Sequence, residues 1–141
     1  MITFSGDKSH IRGKSKSIRK TIDQIAKEHN YKIKQIDYVF VDDESLLEIN
    51  KQALNHDYYT DIISFDYSEG GKIEGEIYIS IDRVRENASK FKEEFHVELL
   101  RVIFHGVLHY VGYKDKTKKE SEKMRSMENY YINKNLFHVE L

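Results

Sequence analysis

Two histidines and an aspartate within residues 105–115 have the types and spacing of a metal site. His105 and His109 are four residues apart, so on a helix their imidazoles lie on one face about 6 Å apart and can reach one ion. Gly112 can turn the chain back past the end of a helix, and Asp115 follows three residues later. Three protein ligands leave a fourth position for water, as in a catalytic zinc site. The pattern predicts one divalent ion, zinc, on His105, His109 and Asp115.

The residue after His105 limits the chemistry of such a site. Zinc peptidases place a glutamate there as the general base, whereas this chain has Gly106. A zinc-bound water is acidic enough to attack a substrate at neutral pH. We therefore expect chemistry other than peptide hydrolysis, with a base from elsewhere or the metal hydroxide itself.

The helix that carries both histidines is predicted from about Glu94 to Val111. Its apolar residues cover most of its circumference, which is typical of a helix in the middle of a domain, and the histidines fall on the flank away from the densest apolar stripe. Hydrophobic period and turn signals predict the remaining elements. These are strands at Met1–Phe4, Ile36–Val41, Asp61–Phe65 and Glu76–Ser80, and helices from Ser15 or Ser17 to His29, from about Ser45 to Leu54, from Asp82, and from Thr117.

Capping and turn residues refine these elements. The glycines between the third and fourth strands predict a hairpin. A serine, Ser15 or Ser17, is expected to cap the first helix. Thr117 and Glu120 have the spacing of a capping box at the start of the last helix.

The bulk composition fits one soluble domain. The chain has 141 residues, of which 39% are hydrophobic, enough for one core. It has no cysteine, so any metal must rely on His, Asp and Glu, and no disulfide can form. Neither a long apolar stretch nor a signal-peptide pattern is present. We expect a soluble, cytoplasmic protein with a single domain over residues 1–141.

Charge is nearly balanced overall but unevenly placed. The net charge is -1, which argues against wholesale coating of nucleic acid. The segment from His10 to Lys20 nevertheless carries basic residues and no acid, and a second basic run follows the histidine pair. Such patches can bind phosphates, and the alternative is ordinary solvated surface.

Residues 105–115 read His-Gly-Val-Leu-His-Tyr-Val-Gly-Tyr-Lys-Asp. They resemble the signature of the YbeY family of bacterial endoribonucleases and ribosomal RNA maturation factors, His-Gly-x-Leu-His-x-x-Gly-Tyr-Asp-His, whose three histidines bind zinc. The likeness extends upstream through Ile49-Asn50, Tyr59 to Phe65 and Gly75 to Ser80. These segments match the family's Leu-Asn, Pro-Thr-Asp-Val-Leu-Ser-Phe and Gly-Asp-Ile in the same order, and together they span most of the chain.

Two departures from the family pattern affect the predicted site. Asp115 stands at the third histidine, which lowers the charge of the site by one and should make a bound water less acidic. Leu54 stands where the family places its proposed catalytic or phosphate-binding arginine. That role is vacant unless His56, Lys114 or Arg101 substitutes, and we expect His56 to be the best candidate.

The resemblance implies a small α+β domain with a four-stranded mixed sheet, a central buried metal-binding helix and flanking helices. It implies a zinc-dependent, single-strand-specific endoribonuclease, a hydrolase of ester bonds, with one Zn²⁺ per chain. Such an enzyme acts in late 16S rRNA maturation and ribosome biogenesis, so the expected partners are the rRNA precursor and the small ribosomal subunit, with no membrane. The basic side chains expected to bind RNA are Arg12, Lys14, Lys16, Arg101 and Lys116.

Two other functions stay open at this point. The chain could be a ribosome assembly factor with a structural zinc and no chemistry, which Leu54 at the arginine position permits. It could also hydrolyse some other small substrate, which only the open coordination position suggests.

Overall fold

Strands and helices alternate in the first part of the chain, and two strands followed by three helices complete it. The structure is a computed structural model that describes the backbone of residues 1–140 and the side chains of residues 1–135, so Leu141 of the expected domain lies outside the described residues. Its elements are β1 (Ile2–Gly6), α1 (Ser15–Glu28), β2 (Lys32–Val41), α2 (Asp43–Leu54), β3 (Ile62–Asp66), β4 (Lys72–Ser80), α3 (Ile81–Lys90), α4 (Phe95–Tyr110) and α5 (Lys118–Glu140). A short 3₁₀ turn, Lys8–Ile11, precedes α1.

The predicted elements are all present, and the differences lie at their ends. β2 begins at Lys32 rather than Ile36, because its first residues alternate exposed lysines with half-buried positions and so give a weak apolar signal. The expected serine cap of α1 is wrong. Lys14 occupies the N-cap position without a side-chain cap, and the Ser17 hydroxyl donates to the Lys14 carbonyl at 2.9 Å.

The capping box at the start of α5 is confirmed. The Glu120 N–H donates to the Thr117 hydroxyl at 3.1 Å, and the Thr117 N–H donates to the Glu120 carboxylate at 3.0 Å. These two bonds satisfy backbone donors that a helix start otherwise leaves unpaired. The capping box therefore fixes where α5 begins after the loop that contains Asp115.

The four strands form one mixed sheet in the order β1-β2-β4-β3. β1 pairs with β2 and β2 pairs with β4 in parallel, whereas β3 and β4 form the expected antiparallel hairpin. The α+β class and the mixed sheet are thus confirmed. The sequence periodicity carried no information on the strand order.

Helix α4 lies at the centre of the domain. Eleven of its 16 residues are buried, and α1, α3 and α5 pack around it while its other face lies against β3 and β4. Leu100, Phe104 and Val107 are fully buried, and burial of each such side chain contributes about 1.5–3 kcal/mol. The Tyr38 hydroxyl of β2 donates to the Ile103 carbonyl at 2.8 Å, which joins the helix to the sheet.

Two glycines allow α4 and the strands to approach closely. A Cβ on Gly106 would lie 2.8 Å from Ile77 Cδ1 of β4. A Cβ on Gly75 would overlap the Phe65 carbonyl oxygen and the Tyr110 hydroxyl. The position after His105 thus faces the packed sheet, where a glutamate of the peptidase pattern has no room. Among the described residues, no helix is long and apolar enough to cross a bilayer.

Candidate metal centre

Helix α4 holds two imidazoles one turn apart, at His105 and His109. The Nε2 atoms of His105 and His109 are 3.0 Å apart, and the ring centroids are 4.6 Å apart. The two side chains are 22% and 34% exposed, respectively. The four-residue spacing thus places two nitrogen donors side by side at the edge of the core, where solvent can reach them.

Gly112 turns the chain back toward these rings. Its φ of 107° is strained for any residue with a side chain. The Gly112 N–H donates to the His109 carbonyl at 3.1 Å, and the Tyr113 N–H donates to the Leu108 carbonyl at 3.0 Å, which is the hydrogen-bond pattern of a Schellman turn. The turn brings Asp115 Oδ2 to 3.2 Å from His105 Nε2 and 3.4 Å from His109 Nε2.

Tyr113 anchors this turn to the rest of the domain. Its hydroxyl lies 3.0 Å from His29 Nε2, at the end of α1. His29 Nδ1 lies 2.7 Å from the Ile25 carbonyl, which can only accept, so Nδ1 carries the proton and Nε2 accepts from Tyr113. A residue far away in the sequence therefore fixes the segment that carries Asp115.

The three donor atoms have the spacing of a metal site. Their separations of 3.0, 3.2 and 3.4 Å compare with about 3.3 Å between neighbouring ligands of a tetrahedral ion held at about 2.0 Å. Two imidazole nitrogens and one carboxylate oxygen are ligands that zinc accepts. His105, His109 and Asp115 could therefore hold a metal ion.

Glu128 of α5 orients the first of these ligands. Its Oε2 lies 2.6 Å from His105 Nδ1, and the glutamate is only 4% exposed. The carboxylate holds the proton on Nδ1, which leaves the Nε2 lone pair directed toward His109 and Asp115. Burial alone would lower the pKa of His105, but the hydrogen bond and charge of Glu128, with the charges of Asp115 and Asp61, raise it above its ordinary value.

A cleft of about 320 Å³ opens beside His105. Two acids of the lining are withdrawn from solvent, Glu98 fully and Asp61 partly. This burial raises the pKa of each carboxyl, so each holds a proton more readily than a solvated one. Asn87 donates to Asp61 at 3.4 Å. The other lining residues are Ile62, Phe91, Arg101, Val102, Asp115, Ser121, Met124, Arg125 and Glu128. A candidate metal centre thus lies at the edge of a cleft that contains groups able to accept or release protons.

Comparison with known proteins identifies the family. The family model described as endoribonuclease YbeY matches residues 2–135. This chain belongs to the YbeY endoribonuclease family. A relative of that name from Christiangramia forsetii is 45% identical over 139 residues, which is 99% of this chain and 96% of the relative. Another from Flavobacterium psychrophilum is 60% identical over 105 residues, 74% of each chain. The YbeY resemblance inferred from residues 105–115 is confirmed.

A solved structure supports the fold of this YbeY chain. The solution structure of a Thermotoga maritima protein matches it with a TM-score of 0.70 and 26% sequence identity. The match covers 98% of this chain and 91% of the other. The arrangement of α4 against the mixed sheet is therefore shared with an experimentally determined structure.

The structure does not bring the two predicted catalytic residues of this YbeY protein to the cleft. His56 is exposed in the loop after α2, where its ring stacks on Tyr58 and its Nδ1 lies 3.0 Å from the Tyr58 hydroxyl. Lys114 is exposed and lines a different surface depression with Lys119 and Lys123. Neither side chain lines the cleft beside His105.

Among the predicted RNA-binding residues, Arg101 does not have the expected environment. It is only 8% exposed, its guanidinium lies 3.5 Å from Glu98 and 3.4 Å from Glu128, and it donates to Asn129 at 2.8 Å. The structure corrects our expectation of a free phosphate contact, because buried carboxylates already neutralise this arginine. It contacts Glu128 beside His105.

The other predicted RNA-binding residues of this YbeY chain lie on the surface. Arg12 and Lys16 are exposed and Lys14 is half-buried at the start of α1, and Arg12 lines a shallow cavity with Lys8 and Arg19. Lys116 is exposed in the loop before α5. These positions are accessible to a polyanion.

Sequence reasoning missed Glu128 and Asp61 at the YbeY cleft. Glu128 occupies an inward position of α5 between Met124 and Tyr131, both buried. A lone glutamate on the apolar stripe of a helix was the available signal for a buried partner. Asp61 was counted as the start of a strand, and only the fold shows that its side chain faces the cleft.

Proposed function

We propose that this chain is a zinc-dependent, single-strand-specific endoribonuclease that acts on 16S rRNA precursors in the cytoplasm during late assembly of the small ribosomal subunit. The observation that carries the proposal is the convergence of His105, His109 and Asp115 donor atoms within 3.4 Å at the edge of a cleft. Membership of the YbeY endoribonuclease family supports the reaction class.

The chain's own residues divide the chemical work. His105, His109 and Asp115 would hold one zinc ion, which when bound supplies a water acidic enough to attack a phosphodiester at neutral pH. Glu128 keeps the His105 proton on Nδ1, so Nε2 stays free to ligate. Asp61, a half-buried carboxyl with a raised pKa, can hold a proton beside the reacting bond and give it to a leaving oxygen.

The basic residues on the surface would steer RNA toward the cleft. Arg12, Lys14, Lys16 and Lys116 can meet phosphates without reading sequence, which suits single-stranded RNA. The catalytic roles of His56 and Lys114 stay predictions. They require that His56→Ala or Lys114→Ala lower the cleavage rate, although neither side chain lines the cleft.

Cleavage of a 16S precursor by purified, zinc-loaded protein tests the proposal. We expect cleavage in single-stranded regions that a chelator abolishes and added zinc restores. Asp115→Ala and His105→Ala should each remove activity, whereas the matched control Asp57→Ala, an exposed carboxylate outside the cleft, should retain it. Activity that persists in the chelator, or that all three variants share, would contradict the proposal.

A second candidate is an assembly factor whose metal is structural. The observation that favours it is Leu54, a 42% exposed apolar residue at the end of α2 where the family has an arginine. In that case an Asp115→Asn variant with normal melting temperature should still restore rRNA maturation in cells that lack the protein. A well-folded variant that fails to restore it favours the enzyme.

A further inference from the structure

Arg125 is the accessible cation of the cleft. Among the described residues that line it, the arginines are Arg101 and Arg125, and Arg101 is buried against carboxylates. The Arg125 side chain is 58% exposed, and its Nε forms an ion pair with Glu128 Oε1 at 3.9 Å, a distance too long for a hydrogen bond. Its guanidinium therefore retains donors that can meet an anion entering the cleft.

The acidic lining makes an accessible cation favourable for a phosphate ligand. Asp61, Glu98, Asp115 and Glu128 all face the cleft, and a phosphodiester brings a further negative charge. A divalent ion on His105, His109 and Asp115 offsets part of this charge at one side. Arg125 offers the complementary charge elsewhere along the cleft, with a planar fork that matches two phosphate oxygens.

Phe91 presents an exposed aromatic ring to the same cleft. It is 60% exposed although it is a large apolar residue. It caps the C-terminus of α3, where Lys92 has a φ of 54° and the Glu93 N–H donates to the Ala88 carbonyl at 2.8 Å. This turn places Phe91 at the edge of the cleft. Its ring stays exposed there, and a flat ligand can contact it.

The cleft is large enough for a small ligand. The cleft volume of about 320 Å³ is at the lower end of the range of small-molecule pockets, roughly 300–1,000 Å³. The Lys90 ammonium lies 5.8 Å from the Phe91 ring centroid, which adds a positive charge near the ring. An aromatic platform with nearby cations is the combination that binds single-stranded nucleic acid.

We infer that Phe91 and Arg125 form a nucleotide subsite in which the ring stacks on a base and the guanidinium binds the adjoining phosphate. The inference rests on the proposed function, because it assigns single-stranded RNA as the ligand of the same cleft. It locates base stacking at the C-terminal end of α3; Tyr58 and Tyr59 are also exposed aromatic residues but do not line the cleft.

Anisotropy titration of zinc-loaded protein with two fluorescein-labelled oligonucleotides tests the subsite. One is single-stranded RNA and the other is an abasic strand of equal length; both carry phosphorothioate linkages that slow cleavage, and gel electrophoresis confirms that each stays intact during the titration. Phe91→Ala should weaken RNA binding roughly 5- to 150-fold, the range of one lost stacking contact, and leave the abasic strand unaffected. Phe91→Trp should restore binding.

Arg125→Gln should weaken binding of both strands and lower the slope of log affinity against log salt by about 0.7, the value for one lost phosphate contact on a single strand. Arg125→Lys should retain most of that slope. The matched controls Tyr130→Ala and Arg85→Gln remove an exposed ring and an exposed arginine outside the cleft and should bind like the wild type. Melting temperature and zinc content are measured for every variant.

Three results would overturn the subsite. The first is that well-folded Phe91→Ala and Arg125→Gln variants bind RNA with wild-type affinity. If these variants also still cleave RNA, the proposed function stays intact. Equal losses in Phe91→Ala for RNA and for the abasic strand would remove the stacking contact. Absence of RNA binding and cleavage in the wild type would overturn both the subsite and the proposed function.

Discussion

Replacing Glu128 by glutamine should weaken metal binding without changing any ligand. The substitution keeps the size of the side chain and removes the negative charge that lies 2.6 Å from His105 Nδ1. A hydrogen bond to a charged group contributes about 1.5–3 kcal/mol, which corresponds to about 10- to 150-fold in affinity. Loss of a carboxylate that orients a ligating histidine typically lowers metal affinity 10- to 100-fold. Both arguments give about tenfold to a hundredfold weaker zinc binding.

The pH of the measurement decides whether this loss is visible. Glu128 also raises the pKa of His105, so in acid protons compete with zinc for this imidazole. In Glu128→Gln the pKa is less raised and this competition is weaker. This effect strengthens zinc binding by the variant in acid and so opposes the loss of affinity that the weaker ligand causes. As the pH of the assay rises, proton competition falls, so the loss of ligand orientation and basicity should account for a growing share of the difference in zinc affinity.

The assay is competition with a chromophoric chelator, with the melting temperature of the metal-free protein as a separate measure of folding. Glu122→Gln is the matched control, because this glutamate is exposed on the same helix. A Glu128→Gln variant that folds normally and binds zinc within twofold of the wild type would refute the orienting role of Glu128.

Other predictions concern stability and the turn at the metal site. Gly106→Ala should lower the free energy of unfolding by about 1–3 kcal/mol in urea titrations, because its Cβ must displace Ile77. Gly75→Ala should lower it further, because its Cβ meets a backbone carbonyl. The reverse order of the two variants would contradict the packing described. Gly112→Ala should cost about 1–3 kcal/mol and also weaken zinc binding, and unchanged affinity would separate the turn from Asp115 placement. The Tyr131 hydroxyl donates to Glu28 at 2.6 Å and lowers the pKa of that carboxyl, so this stabilisation is present above the ordinary glutamate pKa and lost as pH falls through the lowered value. The difference in melting temperature between wild type and Tyr131→Phe should therefore shrink from about pH 7 to about pH 3, and a constant difference would contradict this reasoning.

The metal centre was accessible to sequence reasoning because its parts are local. The spacing of His105 and His109 is one helical turn, and Gly112 changes the chain direction within the next few residues. Helix geometry and the conformational freedom of glycine therefore sufficed to bring Asp115 near the rings. The mixed sheet was expected from the family resemblance, since hydrophobic period does not order strands.

The partners that surround the centre depend on long-range packing. Glu128 reaches His105 only because α5 lies against α4, and the same packing neutralises Arg101. A helical wheel for α4 alone shows Arg101 as a basic residue without indicating which helix covers it. Phe91 and Asp61 likewise face the cleft because separate elements converge there. Such contacts follow from the tertiary structure and are not encoded in any local motif.

The central claim is that His105, His109 and Asp115 bind one zinc ion together. A crystal structure of the zinc-loaded protein, with anomalous scattering recorded at the zinc edge, tests it directly. We expect one strong peak within about 2.0–2.2 Å of both Nε2 atoms and of one Asp115 oxygen, with Glu128 still on His105 Nδ1. A peak at other residues, or an Asp115 carboxylate turned away from the bound ion, would contradict the account.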